Sequence, residues 1–142
     1  MIVKPGARLS RLVGSGLDGQ RTEIDVGKGN SLVFTFSIDC PFCRSELDYL
    51  RATASTAIRN GCSVSWIVKE PPTAVVANGL LKDVVGTLIA EPTYWTHRAT
   101  GLTTVPQTAA LSDGLVLFSW TGVPDANSRA KLDDFVLKNC TR

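Results

Sequence analysis

The stretch SLVFTFSIDCPFCRSEL, residues 31–47, decides how this chain is read. Leu32-Val33-Phe34-Thr35-Phe36 is a nearly continuous apolar run, as expected of a central strand covered on both faces. Cys40-Pro41-Phe42-Cys43 follows, and helical spacing begins at once. Cys43, Leu47, Leu50, Ala54, Ala57 and Ile58 recur on one face of a helix expected from about Pro41 to Arg59. Pro41 suits the first turn, where its missing N–H costs nothing, and Asn60-Gly61 supplies the stop. Two thiols so placed can form a small reversible disulfide. The positive end of the helix stabilises a thiolate at Cys40, which is expected to be exposed. Cys43 heads the buried stripe, with a higher pKa, and is expected to resolve the mixed disulfide that Cys40 forms. That is thiol–disulfide exchange, and it needs no cofactor.

Working outward, 142 residues make one domain, long enough to bury a core. Hydrophobic residues at 44% and charged residues at 20% exclude disorder. A net charge of +2 without a basic block gives no footing for nucleic acid. No apolar run reaches the roughly 18 to 20 residues of a membrane span, and MIVKPGARLSRLVGSG lacks the apolar centre of a signal peptide. Two histories fit: a cytosolic protein, or a soluble domain from a longer precursor that carries an anchor. The cysteines are four, Cys40, Cys43, Cys62 and Cys140, with one histidine, His97. Only the first pair has zinc-ligand spacing, so no metal is expected.

Upstream, Leu17-Asp18-Gly19-Gln20 reads as a tight turn, with Arg21 to Val26 alternating beyond it. This is a small hairpin expected to lie against the main sheet. Residues 1–14 are taken as an extension and 15–142 as the domain. Downstream, CSVSWIV (62–68) is a second strand closed by Pro71-Pro72. Residues 73–86 fit a helix with Thr73 as N-cap, weakened at Asn78-Gly79. Thr87 to Ala90 is a short strand, and residues 93–100 (TYWTHRAT) fit a short helix. Two strands follow around Ser112-Asp113-Gly114, and a last helix runs from about Asn127 to Asn139. The order implies an α/β fold, a mixed sheet with helices on both sides.

Around the thiols, two readings of Glu46 stand open. It exchanges a proton with Cys43, or it is a solvated first-turn glutamate favoured by the helix dipole. Asp39 would oppose a thiolate at Cys40 by like-charge repulsion, unless it is simply a solvated loop carboxylate. If the bond before Pro106 is cis, the Val105 backbone would turn towards the cysteines and pair with an extended substrate. His97 is expected on the surface, and Trp66, Trp95 and Trp120 in packing.

The order β–CPFC–α, βα, β, TTVPQT and a Gly-turn hairpin resembles the thioredoxin fold, and more narrowly the TlpA/ResA-like thiol–disulfide oxidoreductases, related to the AhpC/TSA redoxins. The resemblance covers about residues 15–140. The family's C-x-x-C-[KR]-x-E is matched by Cys40, Cys43, Arg44 and Glu46, and its Gly-[VI]-Pro-x-Thr by Val105-Pro106-Gln107-Thr108, with Thr104 in place of glycine. The family's tryptophans before the first cysteine are replaced by Phe36-Ser37-Ile38-Asp39, and a peroxiredoxin's P-x-x-x-T-x-x-C is missing, with Val33 and Ser37 at its places. The Pro-Phe pair is similar to glutaredoxin-type sites, which implies a potential less reducing than thioredoxin's.

The resemblance implies a three-layer α/β/α sandwich with an added N-terminal β-hairpin. It implies catalysis by Cys40, Cys43 and Glu46, with Pro41, Phe42, Val105 and Pro106 forming the substrate platform. In the resembled fold Cys62 and Cys140 fall at the pole opposite the redox site, where a structural disulfide is possible, worth about 3 to 4 kcal/mol. Such a bridge implies an oxidising compartment. The expected protein is a monomeric, extracytoplasmic bacterial reductase with protein disulfide substrates and a redox partner protein. The alternative is a redox-inactive or redox-sensing interaction module of the same shape.

Overall fold

The computed structural model describes residues 3–92 and 101–140. Its strands are β1 (Arg11–Ser15), β2 (Arg21–Asp25), β3 (Asn30–Phe36), β4 (Ser63–Val68), β5 (Thr87–Ala90), β6 (Gln107–Ser112) and β7 (Leu115–Thr121). Its helices are α1 (Pro41–Arg59), α2 (Pro72–Asn78) and α3 (Ala126–Lys138). The strands form one mixed sheet in the order β2-β1-β5-β4-β3-β6-β7. β3, β4 and β5 run parallel, β6 pairs antiparallel with β3, and β7 pairs antiparallel with β6 at the far edge. The apolar run at 32–36 is therefore central, with neighbours on both sides.

Alternation along the central strands divides the core in two. Leu32, Phe34 and Phe36 of β3 join Val64, Trp66 and Val68 of β4 on one face. There they meet Leu47, Leu50, Ala54 and Ala57 of α1, Val75 of α2, and Leu132, Phe135 and Val136 of α3. Trp66 anchors this layer, edge-on to Phe34 at 4.8 Å between ring centroids, while its indole N–H donates to Val85 O at 2.9 Å. Burying one such side chain contributes about 2 to 3 kcal/mol. On the other face Val33, Ile67, Ile89, Ala109, Leu111 and Val116 pack with Val3, Leu9, Leu12, Val26 and Leu102. Among the described residues that face is covered by irregular chain. The helix expected over 93–100, with Trp95 and His97, lies outside them.

The N-terminal hairpin departs from its expected place. It continues the sheet as its edge, joined through Ser15 opposite Ala90, instead of lying against it. β1 begins at Arg11, within the segment read as an extension, because Leu12 fills a place in the second core cluster. α2 also differs. It ends at Asn78 because Gly79 takes a left-handed conformation (φ 73°) and caps it, and its N-cap is Pro71 in place of Thr73. The β6–β7 turn has Asp113 at φ 47° and Gly114 at φ 81°, the two left-handed residues that a tight type I′ hairpin requires.

Candidate active site

β3 ends at Phe36 and α1 starts at Pro41, so four residues carry the chain from sheet to helix. Cys40 is the N-cap. Its backbone is extended (φ −89°, ψ 117°), and its sulfur accepts the Cys43 N–H at 3.4 Å, satisfying a first-turn donor that the helix leaves open. Cys40 is half-buried, Pro41 is exposed, and Phe42 has 63% of its surface exposed. Cys43 is completely buried. Both sulfurs are free thiols. Burial, first of all, pushes the Cys43 thiol up to about 12, against the opposing effect of the Ser37 N–H, which donates to Cys43 Sγ at 3.5 Å. The Cys40 sulfur and the Glu70 carboxylate add to the upward shift.

Glu70, two residues past the end of β4, was not singled out in the sequence. Because β4 runs parallel to β3, its end emerges beside the end of β3, and Lys69 N–H donates to Phe36 O at 3.0 Å. The Glu70 carboxylate accepts from Ser37 Oγ at 2.7 Å and from the Ile38 N–H at 2.9 Å. Arg44 Nε donates to Ile38 O at 2.6 Å from the other side. The Ser37-Ile38 segment before the cysteines is thus held by two charged side chains.

Glu46 is buried, and both its oxygens lie 2.8 Å from one guanidinium nitrogen of Arg129, in the first turns of α3. Arg129 also stacks over the Tyr49 ring at 4.6 Å. The Tyr49 hydroxyl donates to Asp133 Oδ1 at 3.1 Å, and burial followed by the Asp133 charge pushes its pKa up to about 12. Of the two readings left open, the solvated glutamate does not describe this residue: it is the buried half of an ion pair that ties α1 to α3.

The Val105–Pro106 bond is cis, with Pro106 buried and Val105 half-buried. Val105 and Cys40 both pack on the helix-side core cluster. Gln107, fully buried, secures this loop. Its amide donates to Gly101 O at 3.1 Å, and its carbonyl oxygen accepts the Val3 N–H at 2.7 Å. Thr35 Oγ1 reaches Thr104 O at 2.5 Å. Cys62 and Cys140 are joined in a disulfide with their Cα atoms 4.8 Å apart. Cys62 precedes β4 and Cys40 follows β3, so the bridge and the thiol pair sit at opposite ends of the parallel strands. Beside the bridge, Asn30 Nδ2 donates to Asn139 O at 2.6 Å. Among the described residues no cluster of side chains could hold a metal ion, and no helix is long and apolar enough to cross a membrane.

The mixed sheet with its helices, the cysteine pair between β3 and α1, and the cis-proline before β6 define a protein of the thioredoxin fold. No family model and no curated protein matches the sequence, whereas solved structures match the whole fold. A Chlorobium tepidum protein described as a candidate thiol:disulfide interchange protein DsbE superposes with a TM-score of 0.77 at 18% identity, over 97% of this chain and 99% of that one. A thiol:disulfide interchange protein of the thioredoxin family from Chlorobium tepidum TLS gives a TM-score of 0.72 at 21% identity, over 99% of both chains. A peroxiredoxin-like protein from Aquifex aeolicus gives 0.71 at 16% identity, over 94% of this chain and 88% of that one. One fold carries both chemistries, so the activity rests on the residues at the site.

Proposed function

We propose that this protein is a thiol–disulfide oxidoreductase that reduces protein disulfides outside the cytoplasm. The observation that carries the reading is the pairing of a half-exposed N-cap sulfur, Cys40, with a fully buried thiol one helical turn behind it, Cys43. The Cys40 thiolate attacks one sulfur of a substrate disulfide. That bond breaks, its other sulfur leaves and takes up a proton, and a mixed disulfide remains. Cys43 then gives up its proton and attacks Cys40 Sγ, releasing the second substrate sulfur. Two electrons and two protons have passed to the substrate, and a redox partner protein must return them. Pro41, Phe42, Val105 and Pro106 form the platform on which an extended substrate segment lies.

The Cys62–Cys140 bridge supports an oxidising compartment. The neighbours named for thiol:disulfide interchange support the exchange reaction. Turbidity from insulin reduced by dithiothreitol tests the proposal. Catalysis by the wild type that is lost in Cys40→Ser is expected. Equal, background rates for both would refute the enzyme and favour an interaction module of the same shape.

A further inference from the structure

The sheet face opposite the helices carries two buried polar side chains side by side. Thr35 and Gln107 are partners in the β3–β6 register, and each is 1% exposed. Their strand neighbours on that face, Val33, Ala109 and Leu111, belong to the apolar core. Both polar side chains reach the segment that leads to Pro106. Thr35 Oγ1 donates to Thr104 O, while the Gln107 amide donates to Gly101 O at 3.1 Å and lies 3.5 Å from Thr104 O. The Gln107 carbonyl oxygen is held in turn by the Val3 N–H, and Val3 O accepts from Ser119 Oγ of β7. Between the two tied carbonyls, Leu102 is buried in the same core cluster. Val105 comes next, and among the described residues no hydrogen bond engages its N–H or its carbonyl. We infer that Gln107, with Thr35 beside it, is a positioning residue for the client: the pair fixes Gly101 and Thr104 so that the Val105 backbone is held ready to pair with an extended protein segment.

The inference rests on the oxidoreductase reading and deepens it. Apolar side chains could fill the same space, as Val33 and Leu111 do one pair further along, but they would fix no carbonyl. A buried amide destabilises the fold unless its hydrogen bonds are made, and the bonds Gln107 makes are the ones that shape this loop. With Gly101 and Thr104 tied, Val105 offers an unpaired N–H and C=O in one orientation. That is what the addition of an extended strand through main-chain hydrogen bonds requires. The loop is ordered before the client arrives, so less of the binding free energy goes into ordering it. Loosening the ties should therefore weaken attack on a disulfide carried by a peptide chain more than attack on a disulfide with no main chain.

Two disulfides separate positioning from upkeep of the fold. Insulin carries its disulfides on peptide chains, whereas 5,5′-dithiobis(2-nitrobenzoate) has no main chain to pair. The reduced protein is mixed with an excess of each, and a second-order rate constant is read from loss of the Cys40 thiol, scored by alkylation. In Gln107→Leu the ratio of the insulin constant to the dithiobis(nitrobenzoate) constant should fall about tenfold, the effect of roughly one main-chain hydrogen bond. Thr35→Val removes one tie and keeps the side-chain shape. It should lower the ratio about threefold, and it decides the matter if circular dichroism shows Gln107→Leu unfolded. A ratio unchanged in the folded variants, whether both constants hold or both fall alike, overturns the inference and leaves the oxidoreductase reading standing. A wild type that does not reduce insulin overturns both.

Discussion

Replacing Cys62 and Cys140 together by alanine should cost about 3 to 4 kcal/mol of stability. The two cysteines are 78 residues apart, and closing a loop of that length in the unfolded chain corresponds to a limit of about 4.5 kcal/mol. Native-state strain and residual structure in the unfolded chain lower the expected figure. Both side chains are buried, so a small packing loss adds to it. The bridge ties the end of α3 to the start of β4, beside the Asn30–Asn139 bond, and the same helix carries Arg129 to Glu46 at its other end. Urea denaturation of the oxidised wild type and the double variant, followed by circular dichroism, measures the difference. Insulin reduction by the double variant should persist where it is folded, since Cys40 and Cys43 lie at the opposite end of the strands. A stability loss below about 1 kcal/mol would refute the reasoning. So would mass spectrometry showing two free thiols at these positions after oxidative purification.

Three further outcomes are expected. Arg129→Ala leaves the buried Glu46 carboxylate without its partner and removes the stack on Tyr49. A fully buried pair would lose more, but Arg129 keeps 40% of its side chain exposed, so about 2 kcal/mol is expected in urea titration, with Arg129→Lys falling between. The reduced protein should lose stability at alkaline pH relative to Cys43→Ser. An unfolded thiol releases its proton near 9.0 while folded Cys43 holds its own to about 12, so the unfolded state gains by about 1.4 kcal/mol per pH unit within that window and nothing below it. Comparing the two proteins at pH 7 and pH 10 checks the sign, because Tyr49 is common to both. Gly86→Ala should cost more than about 2 kcal/mol, since φ is +106° and the new Cβ would stand 2.5 Å from Val64 O; a calorimetric melt within a degree of the wild type would show otherwise.

The features legible in the sequence are those written locally. An apolar strand, a proline at N1 and a buried stripe at helical spacing place both thiols on a strand end and a helix start, and they do so without knowledge of the rest of the chain. Asp113-Gly114 announces its own turn in the same way. What escaped the sequence is set by partners far along the chain. Arg129 meets Glu46 across 83 residues, and Glu70 meets Ser37 across 33. Gln107 meets Val3 across 104. Glu70 had one readable signal, its position just past a strand expected to run parallel to β3, which brings it to the end of the sheet where the cysteines lie. Arg129 had none, because an exposed-looking arginine in a polar helix start carries no mark of the buried carboxylate it covers. The hairpin was legible as a hairpin, yet its attachment as a sheet edge comes from the pairing of Ser15 with Ala90, which alternation alone does not encode.

The most direct test of the account is a redox titration of Cys40 and Cys43. The protein is equilibrated across a series of dithiothreitol or glutathione buffers, quenched by alkylation and resolved peptide by peptide, so that the Cys62–Cys140 bridge is scored separately. The account predicts that both thiols disappear together in one two-electron transition, at a potential between about −270 and −120 mV, the reducing end of that range marking a reductase. Cys40 and Cys43 remaining alkylated across every buffer, or titrating independently of each other, would contradict it.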